Sequence, residues 1–226
     1  EGRTDEAKQL YGESRDYAER AVVVSGGKRS DALLMAADAE ERQFPEVDQV
    51  KILNHLKQAV QAARPDENVL GMKKRLARQH LNMGHLDDAR AVAVDLTDSA
   101  PNNDEYQRLL SDVYLNLANR RGTEADEAKA RADARAAAQR AVELGPTLLS
   151  NYEQKVRAIG VTGNLENAKP VTVLAEMEKV AREAIANVKE EETAGAWILL
   201  SNIQVDQARI AAKPEDRQKL LAASEE

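Results

Sequence analysis

Val47, Val50, Leu53, Leu56, Val60 and Ala63 recur at intervals of three and four residues, with Lys, Gln and Asn between them. Met177, Val180, Ala181, Ala184, Ile185 and Val188 repeat the pattern near the other end of the chain. Each set is one apolar stripe on an amphipathic helix, wide enough to cover a single neighbouring layer. No segment alternates with period two for long enough to make a strand. The same periodicity and its punctuation predict about eleven helices, near 3–23, 29–43, 46–63, 67–83, 86–98, 103–119, 123–144, 147–159, 169–189, 192–211 and 214–224. Gly26-Gly27 ends the first, Ser30 is expected to cap the second, and Pro45 separates the second from the third. Thr123 and Asp126 have capping-box spacing, and Pro170 stands where a missing N–H is harmless.

Composition fits thin helical layers. Hydrophobic residues make up 42% of the 226, yet the aromatic share is 3%, with one Trp and one Phe. The apolar material is mainly Ala, Leu and Val, which lets helices approach closely, and the charged residues are good helix formers. Helices this short are marginal alone and must gain stability by stacking on one another. A net charge of −7 disfavours nucleic acid and anionic membrane surfaces as partners of the whole molecule. Runs such as Ala21–Val24 and Ala196–Leu200 are far too short to span a bilayer, so a soluble chain is expected. With no Cys, disulfides and thiol catalysis are excluded, while cytoplasm and periplasm both stay open.

Several helix pairs end alike, at Ala62-Ala63-Arg64-Pro65, Asp98-Ser99-Ala100-Pro101 and Glu143-Leu144-Gly145-Pro146. The prolines are separated by 101 − 65 = 36 and 146 − 101 = 45 residues. The segment from Leu70 to Asn103 resembles a tetratricopeptide (TPR) unit, which runs about 34 residues. Leu76 and Ala77 fill its large-small pair, His80 its Tyr position, Gly84 its turn, Ala89 the start of its second helix's packing face, and Pro101 its close. The next unit offers Leu110, Ser111 and Tyr114, then Ala134, Ala138, Ala141 and Pro146. Tyr114 and Ala134 are 20 apart where His80 and Ala89 are nine apart, an excess of 11 that equals 45 − 34. Trp197-x2-Leu200-Ser201 opens the motif again, with Gln204 in place of Tyr. Lys73 and Gln107 occupy Trp positions, Ala93 and Ala138 occupy Phe positions, and Gly160–Lys169 reads as a long loop.

The resemblance implies an all-α, right-handed α-solenoid of stacked antiparallel helix pairs. Its units fall at 1–25 (a partial repeat), 29–66, 67–102, 103–146, 147–190 and 192–226, with an insertion near 118–130. Gly2-x-x-Asp5-Glu6-Ala7 copies Gly84-x-x-Asp87-Asp88-Ala89, so the chain is expected to begin midway through a repeat and to be part of a longer array.

No catalytic constellation is present, and neither a cofactor nor a metal is expected. His80 and His85 straddle the Gly84 turn with Asp87 and Asp88 nearby. Their donors would have to converge across that turn, no third ligand has helical spacing with them, and His80 is needed for packing. Ser25-Gly26-Gly27-Lys28-Arg29-Ser30 fails the phosphate-loop pattern at Val22 and Arg29, so it reads as a helix terminus. One helix is unusual: Lys73, Lys74, Arg75 and Arg78 share it, with no acid between residues 68 and 86. In TPR proteins the first helix of each pair lines the concave groove, which places Lys74, Arg75 and Arg78 there. A shift of 34 maps Lys74 onto Arg108, Arg78 onto Asp112 and Asn82 onto Asn116. These residues are expected to grip a protein or peptide partner, by an acidic segment or a C-terminal carboxylate, with the two Asn amides holding its backbone. The competing reading is a segment of a larger enzyme or export machine that positions a neighbouring domain.

Overall fold

The computed structural model describes residues 2–42, 47–120 and 122–211. Among them it contains ten α-helices and one 3-10 turn, Glu190–Glu192. The chain divides into two compact units, Glu1–Ser99 and Ala100–Glu226.

The first unit holds α1 (Gly2–Val24), α2 (Ser30–Glu41), α3 (Gln49–Ala62), α4 (Val69–Asn82) and α5 (Leu86–Ser99). Each helix packs on the next, giving antiparallel pairs. Gly26 and Gly27, with φ of 62° and 69°, end α1 in the left-handed region that a glycine enters at least cost. Asp48 caps α3 by accepting from the amides of Val50 and Lys51 at 3.0 Å each. The expected Ser30 cap is not made: Ser30 is the first helical residue, its hydroxyl bonds Glu67, and no side chain caps α2. The core joins Leu33, Ala59 and Met72, and beside them Ala37, Ile52, Leu53, Leu56 and Leu76. The α3 stripe faces the core as expected at Leu53 and Leu56, with Val47, Val60 and Ala63 packed beside them, and departs from it at Val50. Ile52 and Ala59 are buried, whereas Val50 is 57% exposed, because α2 and α4 flank α3 on a face the periodicity alone left open. Pro45 lies outside the described residues.

The second unit holds α6 (Asp104–Ala118), α7 (Glu124–Leu144), α8 (Leu149–Leu165), α9 (Pro170–Asn187) and α10 (Thr193–Ile210). Here α6 also touches α8, and α8 touches α10, as stacked helix pairs require. Thr123 caps α7 as its spacing predicts, accepting from the amide of Asp126 at 3.2 Å. The added residues near 118–130 continue largely as helix, since α7 runs 21 residues where α5 runs 14. The core is built from Val142, Tyr152, Val156, Ile159, Val173, Val180, Ala181 and Ala184 with Ala196, Leu200 and Ile203 of α10.

The long loop expected at Gly160–Lys169 is not present; α8 continues to Leu165. Its two glycines admit α9 at close range. A β-carbon on Gly163 would stand 2.6 Å from Cγ2 of Val173, and one on Gly160 would stand 3.5 Å from the sulfur of Met177. Thr162, fully buried between them, donates to the Ala158 carbonyl at 2.7 Å and accepts from Nε of Arg135 at 2.6 Å. Punctuation by Gly thus marks helix contact here and not chain reversal. The helix expected at 214–224 lies outside the described residues. Among those described, no helix is long and apolar enough to cross a membrane.

Candidate functional site

In the first unit, Asn68 accepts from the amide of Gly71 at 2.9 Å and starts α4, the helix that carries the basic run. Lys73 reaches α5, where Nζ meets Oδ2 of Asp95 at 2.6 Å. Arg75 turns the other way and pairs with two acids of α2, Asp38 and, at 3.2 Å, Glu41. Lys74 is half-buried, while Arg78 and Asn82 are exposed. The absence of acids within 68–86 therefore does not leave the basic helix uncompensated. Its counter-charges arrive from α2 and α5, 22 to 37 positions away in sequence, and nothing in the spacing of α4 announces them.

In the second unit, Arg108 lies 3.6 Å from Asp104 one turn earlier. Asp112 accepts from Nε2 of Gln154 at 2.9 Å and from the Arg157 guanidinium, both on α8. Asn116 donates its amide to the Asp112 carbonyl at 2.8 Å, so that N–H is spent on its own helix. The internal register holds in burial: Ala77 and Ser111, 34 apart, are both fully buried. Ser111 uses the place to donate to the Ala134 carbonyl of α7 at 3.0 Å. No sequence signal pointed to Arg157 or Gln154.

The histidines behave differently from expectation. Their donors do converge across the Gly84 turn, with His80, His85 and Asp88 brought together. His80 is 2% exposed and His55 is 7% exposed, the latter 3.7 Å from Glu19 in a cluster with Lys51 and Glu40. Burial pushes both imidazoles below their ordinary value, against the upward pull of Asp88 on His80 and of Glu19 on His55. Such a histidine takes up its proton more readily once unfolded. Its contribution to stability is complete above the unfolded value of about 6.5 and is lost as pH falls towards the folded one. Urea denaturation should accordingly show a lower midpoint at about pH 5 than at about pH 7.5. The drop should shrink in His55→Gln and His80→Gln; a midpoint that rises on acidification would contradict this.

The Ser25–Ser30 segment is a helix junction. Beside it lies a cavity of about 360 Å³ lined by Lys28, Arg29, Ser30, Asp31, Ala62, Arg64 and Glu67. Both of its arginines are compensated locally: hydrogen bonding to Arg29 holds the Asp31 carboxyl at about 2, and the Arg64 guanidinium meets Glu67 at 3.2 Å.

Stacked antiparallel helix pairs of this length define the TPR-like class of helical folds. No family model matches the sequence, and no curated protein matches it. Among solved structures, the chain is similar to TTC0263, a thermophilic TPR protein of Thermus thermophilus. The identity is 16% and the TM-score 0.52, over 78% of this chain and 90% of that one. It is also similar to BtubC (BKLC) from P. vanneervenii, with 12% identity and a TM-score of 0.51, over 98% of this chain and 89% of that one. At these identities the likeness is one of fold.

Proposed function

We propose that the chain is a non-catalytic scaffold that holds a protein or peptide partner on the face that the first helices of the pairs form within each unit. The observation that carries this reading is the way charges are arranged between successive first helices. Arg75 of α4 is tied to Asp38 and Glu41 of α2, and Arg157 of α8 is tied to Asp112 of α6. Long side chains that are already immobilised lose less rotamer freedom when a partner arrives, which favours binding. On α4 the basic groups beside Arg75 are Lys74 and Arg78, the latter exposed. They suit a carboxylate-bearing segment, since charge-assisted bonds from Lys and Arg to carboxylates are the stronger kind. In the second unit Arg108 serves the same end, with Asp112 holding α8 in place; Asn116 there, and Asn82 in the first unit, lie towards the ends of their helices.

Lys74→Glu with Arg78→Glu should weaken capture of acidic or C-terminal-carboxylate peptides by at least about 10- to 100-fold, the loss of even one charged bond of roughly 1.5–3 kcal/mol. It should also flatten the salt dependence of binding. Fluorescence anisotropy with an acidic peptide library, at low and high salt, measures both. Equal binding by wild type and the double variant would remove α4 from the site, and absence of any peptide binding by the wild type would defeat the proposal.

A further inference from the structure

The turn joining α4 to α5 gathers metal-ligating groups that a continuous helix would scatter. Residues five apart on an α-helix point about 140° away from each other. Gly84, at φ 73°, reverses the chain instead, and the amide of His85 donates to the His80 carbonyl at 2.9 Å. The two rings are thereby held with centroids 5.8 Å apart, inclined at 53°. α5 starts at Leu86, and its first turn swings Asp88 back over His80, with Oδ2 3.6 Å from Nδ1. One donor atom from each of His80, His85 and Asp88 lies within 4.8 Å of the other two.

A second observation singles out this trio. His80 is 2% exposed, and its Nδ1 is a buried ring nitrogen with no hydrogen-bond partner. The Asp88 oxygen is beyond normal hydrogen-bonding reach of it. A buried polar atom left unpaired is costly, and a cation would satisfy it directly. His85 and Asp88 are exposed, so an ion has a path in from solvent.

We propose that His80, His85 and Asp88 form a binding site for a first-row divalent transition cation of the zinc type, with water completing the coordination. Two imidazole nitrogens and one carboxylate oxygen make up the three-ligand set that leaves a tetrahedral ion one open position. Imidazole selects zinc, nickel or copper over magnesium and calcium, which prefer oxygen cages. Donors around tetrahedral zinc stand about 3.4 Å apart. Asp88 already stands near that distance from Nδ1 of His80, so closure asks mainly the exposed His85 side chain to move inward, by about an ångström, while His80 stays fixed by its packing. A bound ion would fasten the first turn of α5 to the last turn of α4 and stabilise the folded state.

The test uses the full chain without a polyhistidine tag, cleared with chelator and titrated with zinc by calorimetry and with cobalt by visible absorption. One equivalent should bind with the absorption of a tetrahedral cobalt centre, and magnesium in excess should not compete. His85→Ala and Asp88→Asn alter exposed side chains, so both should fold, and each should weaken zinc binding by about 10- to 100-fold. His55→Gln should leave it unchanged. Zinc should raise the melting temperature of the wild type and not that of His85→Ala. The proposal is overturned by absence of saturable one-equivalent binding, by wild-type affinity in His85→Ala or Asp88→Asn, or by equal loss in His55→Gln.

Discussion

Replacing Tyr152 by Ala should cost about 3–5 kcal/mol, a large part of the 5–15 kcal/mol that holds a typical domain folded. Tyr152 is the largest fully buried side chain of the described residues. It joins α7, α8, α9 and α10 through the cluster that includes Val142, Val156, Val180, Ala184 and Leu200. The buried residues of that cluster are mostly Ala and Val, too short to fill the space its ring would vacate. Its hydroxyl also donates to the Pro146 carbonyl at 3.0 Å. Tyr152→Phe keeps the ring and loses only the hydroxyl's bonds, to Pro146 and to the Asn187 side chain, so it should cost about 0.5–1.5 kcal/mol per bond. Urea denaturation followed by circular dichroism separates the two variants. If both proved equally harmful, or Tyr152→Ala had a wild-type midpoint, the packing account of this core would be wrong.

The second large effect is expected at Gly163. A β-carbon there would meet Cγ2 of Val173 at 2.6 Å and Cγ1 at 3.0 Å. Val173 is buried near the start of α9, and a β-branched residue in a helix has essentially one comfortable χ1 rotamer, so it cannot swing aside. Gly163→Ala gains about 1 kcal/mol of helix propensity but forces α8 from α9 at a cost of about 1–3 kcal/mol. Gly163→Leu adds three more carbons to the same contact and should exceed that range. Val173→Ala should rescue Gly163→Ala, giving a coupling of about 0.5–3 kcal/mol in a double-mutant cycle. Simple additivity, or a Gly163→Ala variant as stable as wild type, would show that the helices do not depend on this close approach.

Some residues carried their own structural meaning. The α9 stripe behaves as read, with Val180, Ala181 and Ala184 buried and Met177, Ile185 and Val188 packed beside them. Ala134, Ala138 and Ala141 are buried in α7, Pro170 opens α9, Thr123 caps α7 and Gly84 turns left-handed between α4 and α5. Each of these depends on neighbours within a few positions, so periodicity and propensity suffice to find it. The α3 stripe shows where that stops: an amphipathic helix has a broad apolar arc, and only the helices on either side decided that Ile52 and not Val50 lies at its centre.

Gly160 and Gly163 show the same limit from the other direction. In sequence they look like chain breaks, and their use as a seat for α9 depends on Met177 and Val173 arriving from another helix.

What the sequence by itself determined was the set of helices, most of their ends, and the repeat that folds them into antiparallel pairs, because these are short-range consequences of side-chain spacing, caps and turn residues. Only the tertiary structure decided which charges neutralise Lys73 and Arg75, that Asp112 serves α8, and that His80, His85 and Asp88 meet in space. The charge pairings join groups on different helices and follow from how the helices pack, which no local pattern encodes; the trio lies within nine residues, but its convergence depends on the path of the chain through the Gly84 turn.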